Sequence, residues 1–276
     1  MLVSAIIPCY NSQATIGRAI TSLLTQTVAI DQIIVINDGS TDESLQVVQD
    51  LQQKHSSIIV IDQENNGVCA ARNAGIEQAK GTYLLTLDAD DYFEDTFVEK
   101  ALKKFEEDDR YGAVMCGYVR VVNGKKILPY IPEEITFESC LLRNGAIACL
   151  LLKKEAVLKA GLYDLAMSGG HEDWDLNIRV LKLGYRYAII PEVLFNYVDT
   201  VGSRSYTSME QDLDLKMQLF HKYRDEYKKL HEYLFIEFSK EISRLQRQII
   251  KIKRRKSFRV SEKIISQIDK IKSIFK

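Results

Sequence analysis

Asp88, Asp90 and Asp91 place three carboxylates within four residues, directly after the apolar run Leu84-Leu85-Thr86-Leu87. Ionised carboxylates at the edge of a core repel one another unless something neutralises them. A divalent cation does so, because hard cations take oxygen ligands. A solvated acidic turn after a strand is the plain alternative. A second acidic group, Glu172-Asp173-Trp174-Asp175, follows the flexible pair Gly169-Gly170 and includes the single tryptophan of the chain. These acids also suit the first turn of a helix, where negative charge complements the backbone dipole.

The segments that must position these groups alternate between strand-like and helix-like. Val3–Ile7 is an apolar run closed by Pro8, and Ile16, Ala19, Ile20, Leu23 and Leu24 recur at helical spacing within residues 15–26. Ile33–Ile36 reads as a buried strand ending in Asn37-Asp38-Gly39. Ser40 stands three residues before Glu43, which predicts a capping box and a helix to about Lys54. Ile58–Ile61 is the next strand. A turn at Asn65-Asn66-Gly67 then leads into a helix that Gly81 stops. Tyr83–Leu87 is a further strand. This alternation, with wholly apolar strands, predicts a largely parallel sheet covered by helices. Ligands of open sheets bind beyond the carboxyl ends of the strands. Three polar clusters fall at those ends: Pro8-Cys9-Tyr10-Asn11, Asn37-Asp38-Gly39-Ser40 and Asp88-Ala89-Asp90-Asp91.

Asn123-Gly124 predicts a hairpin within residues 118–128, Ala146–Leu152 is strand-like, and Lys153–Ala160 is helical with Gly161 as its stop. Another helix runs to Leu183, and short edge strands are expected on either side of Pro191. Residues 209–275 hold neither Pro nor Gly. Two amphipathic stripes stand there, Ile242-Leu245-Ile249-Ile252 and Ile264-Ile268-Ile271-Phe275.

The blocks Ile6-Ile7-Pro8-Cys9-Tyr10-Asn11, Val35–Asp42, Asn66–Gly75, Leu87–Asp91 and Gly170–Leu176 occur in an order and spacing that is highly specific. Over roughly residues 1–200 the chain resembles the inverting nucleotide-sugar glycosyltransferases of the GT-A fold, a family that includes bacterial polysaccharide and cell-surface glycan transferases. The resemblance implies an α/β, Rossmann-like fold: a mostly parallel mixed sheet flanked by helices, with a helical C-terminal extension. It implies a catalytic domain over 1–206, with a nucleotide-sugar half to about 95 and an acceptor half over 96–206, followed by an extension over 207–276. The implied reaction moves a sugar from a nucleotide-sugar, with UDP favoured, to a hydroxyl of a glycan or lipid-linked sugar in surface polysaccharide synthesis. Mn²⁺ or Mg²⁺ is the implied cofactor.

By the same resemblance Pro8, Tyr10 and Asn11 line the nucleotide, with the Tyr10 ring against the base at about 1–3 kcal/mol. Asp38 accepts from the base, and Arg72 lies near the diphosphate. Asp88, Ala89 and Asp90 form the family's D-x-D motif, in which Asp88 reaches ribose and metal while Asp90 ligates the metal. Asp91 is a further ligand or a helix cap, Asn73 a brace for the Asp88 loop. Asp173, beside Glu172, is the implied general base. Trp174 offers an acceptor sugar a flat face or packs in the core, His171 reaches a ligand or has no role, and Arg204 belongs to a lid.

The net charge of −1 conceals an acidic body and a basic tail: +10 over residues 240–276 against −11 for the rest. The tail suits an anionic membrane surface, a partner helix, or packing back on the acidic body. The acidic body and the lack of a recognition motif argue against nucleic acid as a partner. Residues 1–8 do not read as a secretory signal, and no apolar run reaches the ~18 residues of a membrane span. Five widely spaced cysteines read as buried, reduced thiols. A cytoplasmic protein, peripheral at the inner face of the membrane, is therefore expected. Two rivals stand beside this reading. A sugar-1-phosphate nucleotidyltransferase would want a Gly-rich basic loop near residues 8–18, where none occurs. A non-catalytic sugar-binding or scaffold subunit would not need Asp88, Asp90 and Asp173.

Overall fold

The computed structural model describes residues 2–199 and 211–254. In chain order the elements begin β1 (Val3–Cys9), α1 (Ile16–Leu24), β2 (Gln32–Asp38), α2 (Ser44–Gln52), β3 (Ile58–Gln63), α3 (Val68–Gln78) and β4 (Tyr83–Thr86). They continue with β5 (Tyr92–Phe93), α4 (Phe97–Glu107), β6 (Tyr111–Val122), β7 (Lys125–Tyr130), α5 (Phe137–Leu142) and β8 (Leu151–Lys153). The last are α6 (Lys154–Ala160), α7 (Glu172–Lys182), β9 (Arg186–Asp199), α8 (Asp212–Lys222), α9 (Arg224–Lys229) and α10 (His231–Arg254).

The strands form one mixed sheet in the order β3-β2-β1-β4-β8-β6-β9-β5, with β7 paired outside β6. β3, β2, β1 and β4 run parallel, with Cys9 opposite Asn37 and Ile6 opposite Thr86. That register brings the polar ends of β1, β2 and β4 to one edge, as the sequence pattern predicts. One face of the sheet packs on α1 and α4, joining Ala5, Ile7, Ile33, Val35 and Leu85 to Ile16, Ile20, Phe97 and Phe105. Each such side chain contributes about 1.5–3 kcal/mol by leaving water. The other face meets α3, where Gly75 lies so close that an added Cβ would come within 2.6 Å of Ile6 and 2.8 Å of Ile36. Gly75 thus fixes how far α3, and every side chain on it, stands from the sheet.

Several local expectations change. α2 begins at Ser44 rather than inside a Ser40–Glu43 capping box, and Asp42 accepts from the Ser44 amide at 3.0 Å. The Ser40 hydroxyl is engaged elsewhere, accepting from the Asn11 amide at 3.0 Å. Of the run 146–152 only Leu151 and Leu152 are strand, within β8, because the residues before them form a loop tied to Thr86. Pro191 interrupts no strand. β9 is one 14-residue strand inside the sheet, and its pairing with β6 slips between Ile190 and Val193. The slip lets Pro191, which has no amide hydrogen, stand out of the ladder. The hairpin forms where expected, with Asn123 at φ 49° and Gly124 at φ 74°.

The chain divides into two compact units between Lys222 and Tyr223. The expected boundary at 206/207, Arg204 and the stripe 264–275 lie outside the described residues. In the second unit α10 carries Ile242, Leu245, Ile249 and Ile252 on an exposed face. No described helix is long and apolar enough to cross a membrane. All five cysteines are buried, and none forms a disulfide.

Filling the contact under α3 should be costly. Gly75→Val is expected to lower stability by roughly 1–3 kcal/mol in denaturant titration, through overpacking against Ile6 and Ile36. An unchanged midpoint would show that α3 can move away without penalty.

Candidate active site

The ends of β1, β2 and β4 open into a cleft of about 880 Å³ lined by Pro8, Tyr10, Asn11, Asp38, Asp88, Ala89 and Asp90, together with Asp42, Asn65 and Tyr197. Tyr10 is 51% exposed, so its ring is available to a ligand. Asn11 adopts the left-handed conformation at φ 47°, which turns its amide oxygen onto the Thr41 N–H at 2.8 Å and joins the β1 and β2 loops. Asp38 is buried. Its carboxylate accepts from Gln63 Nε2 at 2.7 Å, the Asn66 amide at 3.0 Å and the Gly67 amide at 2.9 Å. Three of its roughly four acceptor positions thus hold the loop before α3. Gly39 stands at φ 71° against Asn65, where any side chain would meet backbone at 2.7 Å.

The acidic loop after β4 divides its carboxylates between two tasks. Asp88 keeps a side chain 30% exposed, and one of its oxygens accepts from Arg72 at 2.7 Å. Asp90 lines the cleft, while its backbone carbonyl accepts from the Arg18 guanidinium at 2.7 Å. Asp91 is buried and accepts from the Val198 amide at 2.7 Å. Burial, reinforced by Asp90 and Asp88, raises its carboxyl well above the usual range. Asp91 caps no helix, since α4 starts later, at Phe97. The loop 144–150 closes behind: the Thr86 hydroxyl donates to the Ala148 carbonyl at 2.8 Å, and the Asp88 amide meets Cys149 Sγ at 3.3 Å.

Arg72 lies under the cleft rather than on its wall, only 1% exposed. One guanidinium nitrogen holds Asp88 and another holds Glu172, each at 2.7 Å, and the Tyr163 ring centroid is 5.1 Å from the guanidinium carbon. Burial opposes the charge, but Asp88, Tyr163 and Glu172 keep Arg72 protonated. Asn73 does not brace the Asp88 loop. It pairs with the Tyr163 backbone in both directions, at 2.8 and 2.9 Å, and so presses that ring toward Arg72.

Glu172 opens α7 after His171, which sits at φ 58°. Asp173, partly buried, accepts from Asn144 Nδ2 at 2.7 Å. Burial and the neighbouring Glu172 charge raise its carboxyl, against smaller opposing effects of Arg72, the Trp174 amide and Asn144. Asp175 is fully buried and neutralised by Arg179 and by Lys222 of α8, at 2.7 and 2.6 Å. Trp174 offers no flat face outward. It is 5% exposed and its indole N–H donates to the Cys140 carbonyl at 2.5 Å, which packs α7 on α5. His171 turns to Asp212 at 3.2 Å.

The sequence profile of glycosyl transferase family 2 matches residues 4–149. The chain belongs to glycosyl transferase family 2. Within that family, and thus among glycosyltransferases, it is 35% identical over 235 residues to the uncharacterized glycosyltransferase EpsJ of Bacillus subtilis, covering 79% of this chain and 67% of EpsJ. It is 30% identical over 212 residues to the poly-beta-1,6-N-acetyl-D-glucosamine synthase of Staphylococcus aureus, covering 70% of this chain and 51% of the synthase. The chain therefore spans about two thirds of the one relative and half of the other. The GT-A fold is shared with S. aureus TarS 1-349 solved in complex with UDP-GlcNAc, with a TM-score of 0.61 at 22% identity, over 74% of this chain and 60% of that one. The full TarS structure matches with a TM-score of 0.60 at 20% identity, over 72% of this chain and 37% of TarS.

The acidic wall of this family 2 cleft has the donors for a hard cation. Asp88, Asp91 and Cys149 bring ligand atoms within 4.8 Å of one another. Cys149 is a poor member of such a set, because burial and the charges of Asp88 and Asp91 hold its thiol protonated. Asp91 is engaged with Val198. Asp88 and Asp90, which both face the cleft, fit better: Mg²⁺-type sites take one or two protein carboxylates and complete their shell with phosphate and water. Arg18, Tyr163 and Asn144 are site residues that the sequence pattern does not reveal. Each lies in an ordinary helix or loop context, and its role depends on a partner far along the chain.

Removing the buried cation should expose the charges it balances. Arg72→Met is expected to destabilise the fold by about 3–5 kcal/mol, and Arg72→Lys to recover only part of this, because one ammonium lacks the fork that reaches both carboxylates. Equal stability of wild type and Arg72→Met by calorimetry would exclude a structural role for the triad.

Proposed function

We propose that the chain transfers a sugar from a UDP-sugar to a hydroxyl of a glycan or lipid-linked acceptor, with inversion at the anomeric carbon. One observation carries this reading: Tyr10, Asp38, Asp88 and Asp90 share a cleft, and Arg72 ties its acidic wall to the turn that bears Asp173. The shared GT-A fold of TarS, solved in complex with UDP-GlcNAc, and the poly-N-acetylglucosamine synthase relative support UDP-N-acetylglucosamine as the first donor to test.

In this reading the exposed Tyr10 ring stacks on the pyrimidine, and the remaining acceptor position of Asp38 takes a hydrogen bond from the base. Asp88 and Asp90 would hold Mg²⁺ or Mn²⁺, which when bound offsets the charge on the departing diphosphate. Arg72 holds Asp88 in place from below. Asp173 is the base. Its carboxylate takes the proton of the acceptor hydroxyl as the new C–O bond forms on one face of the sugar and the bond to diphosphate breaks on the other. The proton stays on Asp173 and UDP leaves with the bonding pair. A carboxyl raised above its ordinary value is a better proton acceptor near neutral pH. Catalysis is assigned to the first unit, including α8, and the basic amphipathic extension is read as an attachment segment for an anionic surface or a partner helix.

Donor binding and turnover both test the assignment. UDP-N-acetylglucosamine with Mn²⁺ should raise the melting temperature, by linkage worth about 2.7 kcal/mol at a hundredfold excess over Kd. Asp90→Ala should abolish the Mn²⁺-dependent part, and a full response in that variant would remove Asp90 from the metal site. Asp173→Asn should lower kcat by ~10²–10⁴ while UDP binding persists. Because the Asp173 pKa is raised in the fold, wild-type activity should fall with decreasing pH through a value above the ordinary 3.8. By the same shift the folded state binds this proton more tightly than the unfolded chain, so the group costs stability at neutral pH. Asp173→Asn should therefore be no less stable than wild type there, and full transfer by this variant would exclude Asp173 as the base.

A further inference from the structure

A second cavity, of about 170 Å³, opens beside the base and is lined by Tyr118, Tyr130, Glu133, Ser139, Arg143 and Asn144, among others. None of these residues belongs to the nucleotide cleft. We propose that this cavity holds the acceptor sugar and that Asn144 aligns both the sugar and Asp173; the proposal rests on Asp173 being the general base.

Position is the first argument. Asn144 lines the cavity and donates to Asp173 at 2.7 Å, so a molecule seated against Asn144 lies one side chain away from the base. The Asn144 amide is itself oriented. Tyr187 O–H donates to Asn177 Oδ1 at 2.7 Å, and Asn177 Nδ2 donates to Asn144 Oδ1 at 3.3 Å. Every donor in this row points toward Asp173. The row fixes one carboxylate oxygen of Asp173 through the same side chain that lines the cavity.

Chemistry is the second argument. The rings of Tyr118 and Tyr130 stand 5.4 Å apart at 55°, and Tyr130 is 47% exposed, a tilted platform for the apolar face of a pyranose. At the rim Glu133 and Arg143 pair at 3.1 Å, while Glu134 faces Arg186 at 3.4 Å. These pairs offer donors and acceptors with their charges balanced, which suits a neutral polyol better than a phosphate. The volume takes about one sugar ring.

Connection is the third argument. The segment that lines the cavity at Asn144–Ile147 continues to Ala148 and Cys149, which contact Thr86 and Asp88. One short loop thus borders the acceptor cavity at one end and the acidic wall of the donor cleft at the other.

Saturation-transfer NMR on the full chain, with UDP and Mn²⁺ present, tests this with methyl β-glycosides of glucose, galactose and N-acetylglucosamine as probes. At least one glycoside should bind wild type. Tyr130→Ala and Glu133→Gln should weaken it by roughly tenfold, about 1.4 kcal/mol, with Tyr130→Phe retaining it. Both side chains are exposed, so melting temperature and UDP affinity should stay at wild-type values. Binding of no glycoside, or binding undiminished in Tyr130→Ala, overturns the cavity assignment while the donor reading stands. A wild type that binds no UDP removes both.

Discussion

A single guanidinium organises the site. Arg72 is buried with a carboxylate on each side, and those carboxylates lie 16 and 100 residues away in the chain. A lone buried cation is heavily penalised, and a buried ion pair seldom adds net stability over apolar packing. The gain here is positional. Asp88 belongs to the loop after β4 and Glu172 opens α7, so Arg72 makes the placement of the two loops one variable rather than two. The planar fork suits this task, since it reaches two oxygens in fixed directions.

Most polar side chains around the cleft hold loops rather than face it. Asp38 uses three acceptor positions on the segment 63–67, Asn11 joins the ends of β1 and β2, and Asp91 fastens β9 through Val198. Asn73 clamps Tyr163, and Lys222 with Arg179 neutralises buried Asp175. A site held in this way needs little rearrangement when a ligand arrives, which is how preorganised groups act on a transition state. The parallel register of β1, β2 and β4 supplies the frame, and Gly75 sets the depth of α3 and hence of Arg72.

The fold was legible because its signals are local and repeated. Apolar runs such as Ile33–Ile36 end in turn residues, and that pattern alone places Asp38 and Asp88 at one edge of a parallel sheet. The acidic group after β4 was legible as chemistry, but its division of labour was not: nothing in Asp88-Ala89-Asp90-Asp91 says that the last carboxyl turns inward to a strand about a hundred residues later. Arg72 was legible as a cation near phosphate, yet its burial depends on Glu172. Trp174 looked equally like a sugar platform and a core residue, and only the position of the Cys140 carbonyl decides between them. The short reach of β8 and the length of β9 escaped for a related reason. Pairing partners, more than intrinsic propensity, determine where a strand stops.

The five thiols have a consequence of their own. Cys9 lies at the end of β1, Cys69 in α3, Cys116 in β6, Cys140 under Trp174 and Cys149 beside Asp88, all of them buried. Burial raises the Cys9 thiol to about 11 and the Cys116 thiol to about 12, and so suppresses the nucleophilic thiolate form. Alkylation of the native chain must therefore wait for a local opening that wets one sulfur at a time. Without any engineered probe, the rate at which each cysteine is labelled becomes a clock for the breathing of its own neighbourhood, with Cys149 timing the acidic wall and Cys140 the contact between α5 and Trp174.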